Sequence, residues 1–248
     1  MKLAILTPTR NRLGFLQQNI ASVRMSSTAP LELEIIQAVH DCGSDDGTRE
    51  YLQGLDDPRL VLSFSPGRTA PGRARNLAAA SCESDLLMPL DDDDLLLQRT
   101  AYHFAKSLEA GIARWAVADF LKIDQDGRYL AGEDYYGWDF SSADEMLRAV
   151  FSGRHFIQGN VCFTRELFDA VGSYEEMETA EDLELYTRFI LEAGLPLYVP
   201  TVSHLHRMHG GNVSRQVDKD RYNRDLAEIY EKHRTSLEKR GIPLEPIP

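Results

Sequence analysis

Up to Arg114 the chain alternates short apolar runs with helical patterns. Lys2–Thr7 (KLAILT) is apolar at nearly every position and of strand length, and Leu13, Leu16, Ile20 and Val23 then recur at the spacing of one helix face. A second run, Leu33–His40, leads into the turn-rich DCGSDDGT and a short helix through Tyr51 and Leu52. Arg59–Phe64 makes a third strand. Pro71 opens a helix where a missing N–H does no harm, and that helix continues to Ala80. Asp85–Leu90 (DLLMPL) is the fourth strand, running straight into four aspartates. Strands that are apolar on both faces, alternating with helices over short links, predict a mainly parallel sheet with helices on both sides.

Beyond Arg114 the pattern is mixed. ARWAVADFLKID and GRYLAGE flank a DQDG turn and predict a hairpin-like extension. Ser142 and Glu145 form a capping box for a helix through Phe151, GNVCFT predicts a strand, EDLELYTRFILEAG a helix ended by Gly194, and LPLYVPTV a last strand. Asp218–Lys239 reads as a charged helix with Leu226, Ile229, Tyr230 and Leu237 on one face. No repeat, low-complexity tract or long linker interrupts the chain. The expectation is one α/β domain over residues 1–215, with a nucleotide-binding half (1–110) and an acceptor half (111–215), followed by a helical tail at 216–248.

Composition narrows the function classes. The 248 residues are 43% hydrophobic and 27% charged, values of an ordinary globular protein. The formal net charge of -12 argues against nucleic acid as partner. It also means that an anionic ligand needs a metal or placed arginines. The N-terminal apolar run is too short for a signal peptide, no stretch reaches the length of a membrane span, and three widely spaced cysteines suit a reducing compartment; the expected location is the cytoplasm.

The candidate chemistry collects where predicted strands end: TPTRNR after the first, HDCGSDDGT after the second, DDDD after the fourth. Ligands of open α/β sheets bind outside those strand ends. On an extended chain Asp91 and Asp93 point the same way, about 6 to 7 Å apart, with Asp92 opposed. Such oxygen ligands suit Mg²⁺ or Mn²⁺. Each stretch also has a plain structural reading, as turn or helix-cap chemistry. Neither GxxxxGK[ST] nor a strand-following GxGxxG is present, which excludes the P-loop and dinucleotide-binding classes.

Taken in order, AILTPTRNR, HDCGSDDGT, GRARN, LMPLDDDD, TAEDLELYTR and RMHGGNVS resemble the motifs of family 2 glycosyltransferases, from Lys2 to about Ser214. The resemblance implies a GT-A fold and an inverting, metal-dependent transfer from a nucleotide-sugar, expected to be a UDP-sugar, to a glycan or glycolipid acceptor. By the same resemblance Pro8, Thr9 and Arg10 line the base, and Asp41 accepts from a base N–H. Arg75 reaches toward the base or diphosphate, and Asp91-Asp92-Asp93 match the DxD element, with Asp93 on the metal. Asp182 is the catalytic base with Glu181 beside it, and Arg207, His209 and Ser214 close over the diphosphate, His209 also touching the metal. Two departures stand out: Cys42 replaces an aspartate common in the family, and no proline follows the aspartates through Leu95–Gln98.

Residue chemistry on its own leaves Asp182 open to a second reading, as an acidic residue in a helix's first turn. His204 and His206 alternate as strand residues do and read as structural, while the aromatic loop Glu133–Trp138 is a weak candidate for stacking on a sugar. Two rival functions share the nucleotide site. A sugar-1-phosphate nucleotidyltransferase would need a glycine-rich N-terminal loop and a lysine that TPTRNR lacks; a non-catalytic nucleotide-sugar or carbohydrate-binding module could dispense with Asp182. Contact with a membrane, if any, would be peripheral.

Overall fold

The computed structural model describes residues 1–132, 140–153, 159–177, 179–212 and 218–245. The first half is a strand–helix alternation: β1 (Lys2–Thr9), α1 (Leu13–Arg24), β2 (Glu34–Cys42), α2 (Thr48–Gln53), β3 (Leu60–Ser65), α3 (Pro71–Ala80) and β4 (Leu86–Pro89). All of its strand pairings are parallel. The reason β1 carries no polar alternation is visible in the packing. Ala4 and Leu6 enter the core cluster containing Trp115 and Phe163, while Leu3 and Ile5 enter the one containing Phe104 and Met88. Both faces of the strand are covered, so both need apolar side chains.

Among the described residues one eight-stranded sheet runs in the order β3-β2-β1-β4-β7-β6-β8-β5. The remaining strands are β5 (Leu95–Leu96), β6 (Trp115–Asp124), β7 (Val161–Thr164) and β8 (Leu197–Met208). β7 joins the halves by pairing antiparallel to both β4 and β6. β6 is parallel to β8, and β8 comes back to pair with β5, directly after the aspartates. The helices of this half are α4 (Thr100–Leu108), α5 (Ala143–Phe151), α6 (Arg165–Val171), α7 (Glu181–Ala193) and α8 (Lys219–Lys239). Because β2 and β4 lie on opposite sides of β1, the chain reverses direction there, which opens a crevice at the carboxyl ends of β1 and β4.

Three expectations change. The last strand does not stop at Val202 but runs to Met208, because Pro200 and Thr201 are absorbed in a register shift against β6 between Ala118 and Asp119, where a missing ladder N–H is tolerated. The hairpin is only a tip: Tyr129 bridges Ile123 and Leu130 N–H donates to Lys122 O, whereas the body of β6 pairs with β7 and β8. Long-range partners outweighed the local turn. Finally, α4, α6 and β5 are additional elements. Polar residues within α4 hide its face of Ala101, Phe104, Ala105 and Leu108, and α6 is only 7 residues long, capped by Thr164, whose hydroxyl accepts from Leu167 N–H at 3.2 Å.

The C-terminal α8 shares the main core. Asp218 caps it, accepting from Arg221 N–H at 2.7 Å, and Leu226, Ile229, Tyr230 and Leu237 belong to the cluster built on Trp115. The Tyr230 hydroxyl donates to Ile242 O at 2.8 Å. No helix among the described residues is long and apolar enough to cross a membrane. Ile229 is 0% exposed, so Ile229→Ala should destabilise the protein by about 2 to 5 kcal/mol through lost transfer energy and a residual cavity. Urea unfolding checks this. A loss below about 1 kcal/mol would mean that the helix lies on the core rather than in it.

Candidate active site

The aspartates form a turn, not an extended strand. Leu90 N–H still donates to Leu6 O as β4 ends, and Asp94 N–H then folds back onto Asp91 O at 3.1 Å. Asn19, buried on α1, clamps the turn from below: its Nδ2 donates to Asp91 O at 2.8 Å and to Asp94 O at 2.9 Å. Its Oδ1 accepts from Gln37, which also reaches Thr7. The extended run is thus replaced by a turn. Asp92 and Asp93 converge on Arg12, while Asp91 is held by Arg75.

Each carboxylate has its own neutralising group. Asp91, whose side chain is 48% exposed, accepts from Arg75 Nη2 at 2.6 Å. Asp92 accepts from Thr9 Oγ1 at 2.6 Å and from Arg12 Nη1 at 3.1 Å. Asp93 takes the same Arg12 nitrogen, and His209 Nε2 at 2.8 Å. Asp94 accepts from Arg207 N–H at 2.8 Å and lies 3.3 Å from His206 Nδ1. Burial pushes the Asp92 carboxyl up to about 7, with Arg12 holding it down and Asp93 adding to the rise. Burial likewise lifts Asp94 to about 6 against the pull of His206. At Asp91 burial acts upward too, but the Arg75 charge and its hydrogen bond prevail and hold the carboxyl below the usual range.

Arg75 links this turn to α7. Its Nη1 donates to Glu181 Oε1 at 2.6 Å, while its Nη2 holds Asp91. α3 can come so near α7 because of Gly72, where a Cβ would meet Glu175 O at 2.8 Å and Glu181 Cγ at 3.1 Å. Ala180, just before α7, adopts φ 61° and ψ 19°, a left-handed conformation unusual for a residue with a side chain, and so sets where Glu181 and Asp182 begin the helix. Asp182 is half-buried and accepts from Leu183 N–H at 2.7 Å. Burial raises its carboxyl; Arg75 opposes the rise and Asp91 reinforces it. Glu181 is raised by burial in the same way, against Arg75.

The other expected residues divide by position. Pro8 and Thr9 close β1, and Thr9 is buried against Asp92. Arg10 is exposed in the loop that follows. Asp41 is fully buried at the end of β2 and accepts from Ser44 N–H at 3.2 Å and Arg49 Nε at 3.2 Å, the Arg49 guanidinium lying 5.0 Å from the Phe64 ring centre. Arg207 is 1% exposed and points inward: Nε donates to Asp93 O at 2.7 Å, Nη1 to Gln125 O at 3.1 Å and Nη2 to Gln18 Oε1 at 3.0 Å. Its guanidinium thus braces the aspartate turn, where the resemblance expects it over the diphosphate. Ser214 and the loop Glu133–Trp138 lie outside the described residues.

His209 shows a tautomer constraint. Gly211 N–H donates to His209 Nδ1 at 3.0 Å, so the ring proton sits on Nε2 and is given to Asp93. For Nε2 to ligate a cation, the Gly211 N–H has to leave Nδ1. Carboxylate oxygens of Asp91, Asp93 and Asp94 lie within 4.8 Å of one another, a hard oxygen set that fits Mn²⁺ or Mg²⁺. Arg12, Asn19 and Asp94 were not singled out in the sequence. Arg12 stands within the quoted TPTRNR, two residues past Arg10, and its position in that loop was the available signal.

Comparison with known proteins agrees with the fold. The chain is 27% identical over 161 residues to GalNAc(5)-diNAcBac-PP-undecaprenol beta-1,3-glucosyltransferase of Campylobacter jejuni, covering 62% of this chain and 50% of that enzyme. It is 24% identical over 220 residues to the putative colanic acid biosynthesis glycosyl transferase WcaA of Escherichia coli, covering 84% of this chain and 73% of that one. The fold is similar to Staphylococcus aureus TarS 1-349 in complex with UDP-GlcNAc, with TM-score 0.72 and 17% identity over 92% of this chain and 66% of that one. It is similar also to mannosyltransferase PcManGT from Pyrobaculum calidifontis in complex with GDP-Man and Mn²⁺, with TM-score 0.65 and 19% identity over 93% of this chain and 63% of that one. The chain therefore spans half the length of the Campylobacter enzyme and about two thirds of the TarS fragment. The family model for glycosyl transferase family 2 matches residues 4–172, and this chain belongs to that family.

Proposed function

We propose that this protein is an inverting, divalent-metal-assisted glycosyltransferase that moves a sugar from a UDP-sugar to a hydroxyl of a glycan or lipid-linked glycan. One observation carries the reading. A single buried arginine, Arg75, ties the carboxylate turn at the crevice to the carboxylates that open α7, so donor-side and acceptor-side acids stand in one network. A binding module has no need of the second pair. The Campylobacter relative, named for an undecaprenol-linked substrate, supports a lipid-linked acceptor. With it goes peripheral membrane contact from the cytoplasmic side.

The roles follow from position. Asp41, buried at the end of β2, accepts from the uracil N–H, and Thr9 and Pro8 border the base and ribose. Asp91 and Asp92 face the ribose and sugar hydroxyls; Asp93, with His209 beside it, faces the diphosphate. A divalent cation bound there supplies Lewis-acid stabilisation of the leaving diphosphate. Asp182 takes the acceptor proton as its oxygen attacks the anomeric carbon from the face opposite the leaving group. Its raised pKa strengthens it as a base.

Four outcomes are expected. Asp93→Ala should abolish the tightening of UDP binding by Mn²⁺; calorimetry with and without the metal reads this directly, and unchanged metal dependence removes Asp93 from the cation. Asp41→Ala should weaken UDP binding by roughly 1.5 to 3 kcal/mol, the usual cost of losing a hydrogen bond to a charged group. Wild-type preference for GDP over UDP would end the uracil assignment while leaving the transfer intact. Asp182→Asn keeps shape but cannot accept the proton, so transfer should fall by about a hundred- to ten-thousand-fold with donor affinity unchanged. In the wild type, the base works deprotonated and its pKa is raised. The acid limb of kcat/KM should therefore lie above the range of an exposed aspartate, activity falling as pH drops through it. Wild-type transfer by Asp182→Asn would reduce Asp182 to a helix-start carboxylate.

A further inference from the structure

Arg12 stands where a cation is wanted. Its Nη1 bridges Asp92 Oδ1 and Asp93 Oδ2, and among the described residues no other arginine or lysine forms an ion pair with either. The neighbouring charges are already committed: Arg75 to Asp91 and Glu181, and the Arg207 guanidinium to Asp93 O, Gln125 O and Gln18. His209 meets Asp93 as a neutral donor, since its Nδ1 accepts from Gly211. Asp92 and Asp93 are each only 4% exposed, so leaving both without a counter-charge would cost several kcal/mol. Arg12 is itself less enclosed, its side chain 25% exposed at the rim. It reaches the carboxylates from the N-cap of α1, and its Nη2 holds Gly211 O at 3.0 Å.

We infer that Arg12 is the resident counter-ion of the metal-free site, and that its guanidinium and a divalent cation compete for Asp93. The inference rests on the metal-assisted reading above and adds a regulation of that site: without metal the two carboxylates keep one shared counter-charge, and cation binding has to displace an internal ligand. Two facts favour exchange over a permanent bridge. The arginine is at the rim, where its released head meets water, whereas Arg75 and Arg207 are enclosed. The loop it touches also holds its shape without it, because Asn212 Oδ1 accepts from His209 N–H and Asn212 Nδ2 donates to Arg207 O at 2.9 Å. Burial works against the Arg12 charge, but Asp92, Asp93 and Asp91 outweigh it and raise its pKa, so it is charged at any working pH.

The experiment is Mn²⁺ titration of nucleotide-free protein, read by calorimetry or by the electron paramagnetic resonance signal of free Mn²⁺. Arg12→Gln should bind Mn²⁺ more tightly than wild type by roughly five- to a hundredfold, the usual range of coupling between competing ligands. Arg12→Lys retains the charge but not the fork that joins the carboxylates to Gly211 O, so its affinity should fall between the two. Without metal, Arg12→Gln should also melt at lower temperature than wild type, the gap narrowing when Mn²⁺ is added. Equal or weaker Mn²⁺ binding by Arg12→Gln overturns the competition and leaves the metal site standing. No Mn²⁺ binding by any of the three proteins overturns the metal-assisted reading, and this inference with it. Should Arg12→Gln not fold, Arg12→Lys decides alone: tighter binding than wild type carries the inference, and unchanged or weaker binding ends it.

Discussion

Four carboxylates side by side at the edge of two hydrophobic clusters have to be neutralised, and much of the structure is arranged to do so. Three of them, Asp92, Asp93 and Asp94, are nearly sealed from water. The neutralising groups come from five different places in the chain: Thr9 at the end of β1, Arg12 at the start of α1, Arg75 from α3, His206 and Arg207 from β8, and His209 beyond it. Burying carboxylates is unfavourable unless every one finds a donor. That condition fixes how β1, α3 and β8 meet. Burial is the largest cause of the upward shift at Asp92 and Asp94, opposed by Arg12 and His206 respectively.

The two acid groups of the site are held in a definite relation by one side chain. Arg75 is 8% exposed, packs 5.6 Å from the Tyr174 ring centre and spends both terminal nitrogens on carboxylates. Breaking such a buried pair is strongly destabilising because it strands the partners, which makes the arginine a rigid spacer as much as a charge. The close approach at Gly72 and the left-handed Ala180 serve the same placement, since both set where α7 starts relative to α3. Glu181 is consumed by Arg75, while Asp182, one residue on and half-buried, accepts from Leu183 N–H in the first turn of α7.

β8 is the second element of this design. It runs parallel to β6 in the sheet and then crosses beside the aspartate turn, so its last residues are at once strand and site. The Arg207 backbone N–H binds Asp94 and its guanidinium binds Asp93 O, so the turn is braced from both its side chains and its carbonyls. Asn19 performs the matching function from α1. The turn is therefore held by backbone and buried contacts that do not involve Arg12 at the rim.

Much of this was legible in the sequence, for local reasons. Doubly apolar β1, β2 and β4, the proline opening α3, the Ser142 cap of α5 and the glycine ending α7 each follow from propensity and pattern within a few residues. The gathering of Thr9, Asp41 and Asp91 at strand ends follows from the alternation itself, and the family motifs led to Asp93, Glu181 and Asp182. What the sequence could not decide was which charges meet. Asp91 and Arg75 are 16 residues apart, Arg75 and Glu181 106, Arg12 and Asp93 81. No periodicity encodes such pairings. The same holds for β8, where pairing with β6 and β5 carried the strand past Pro200, and for the aspartates, where a turn closed by Asp94 N–H and clamped by Asn19 replaced an extended run. Residue type and short-range spacing determined the fold class, the family and the acids of the site. Only tertiary packing, by bringing distant cations to buried carboxylates that cannot stand alone, determined that Arg207 braces the turn, Arg75 ties it to α7 and Arg12 holds Asp92 and Asp93.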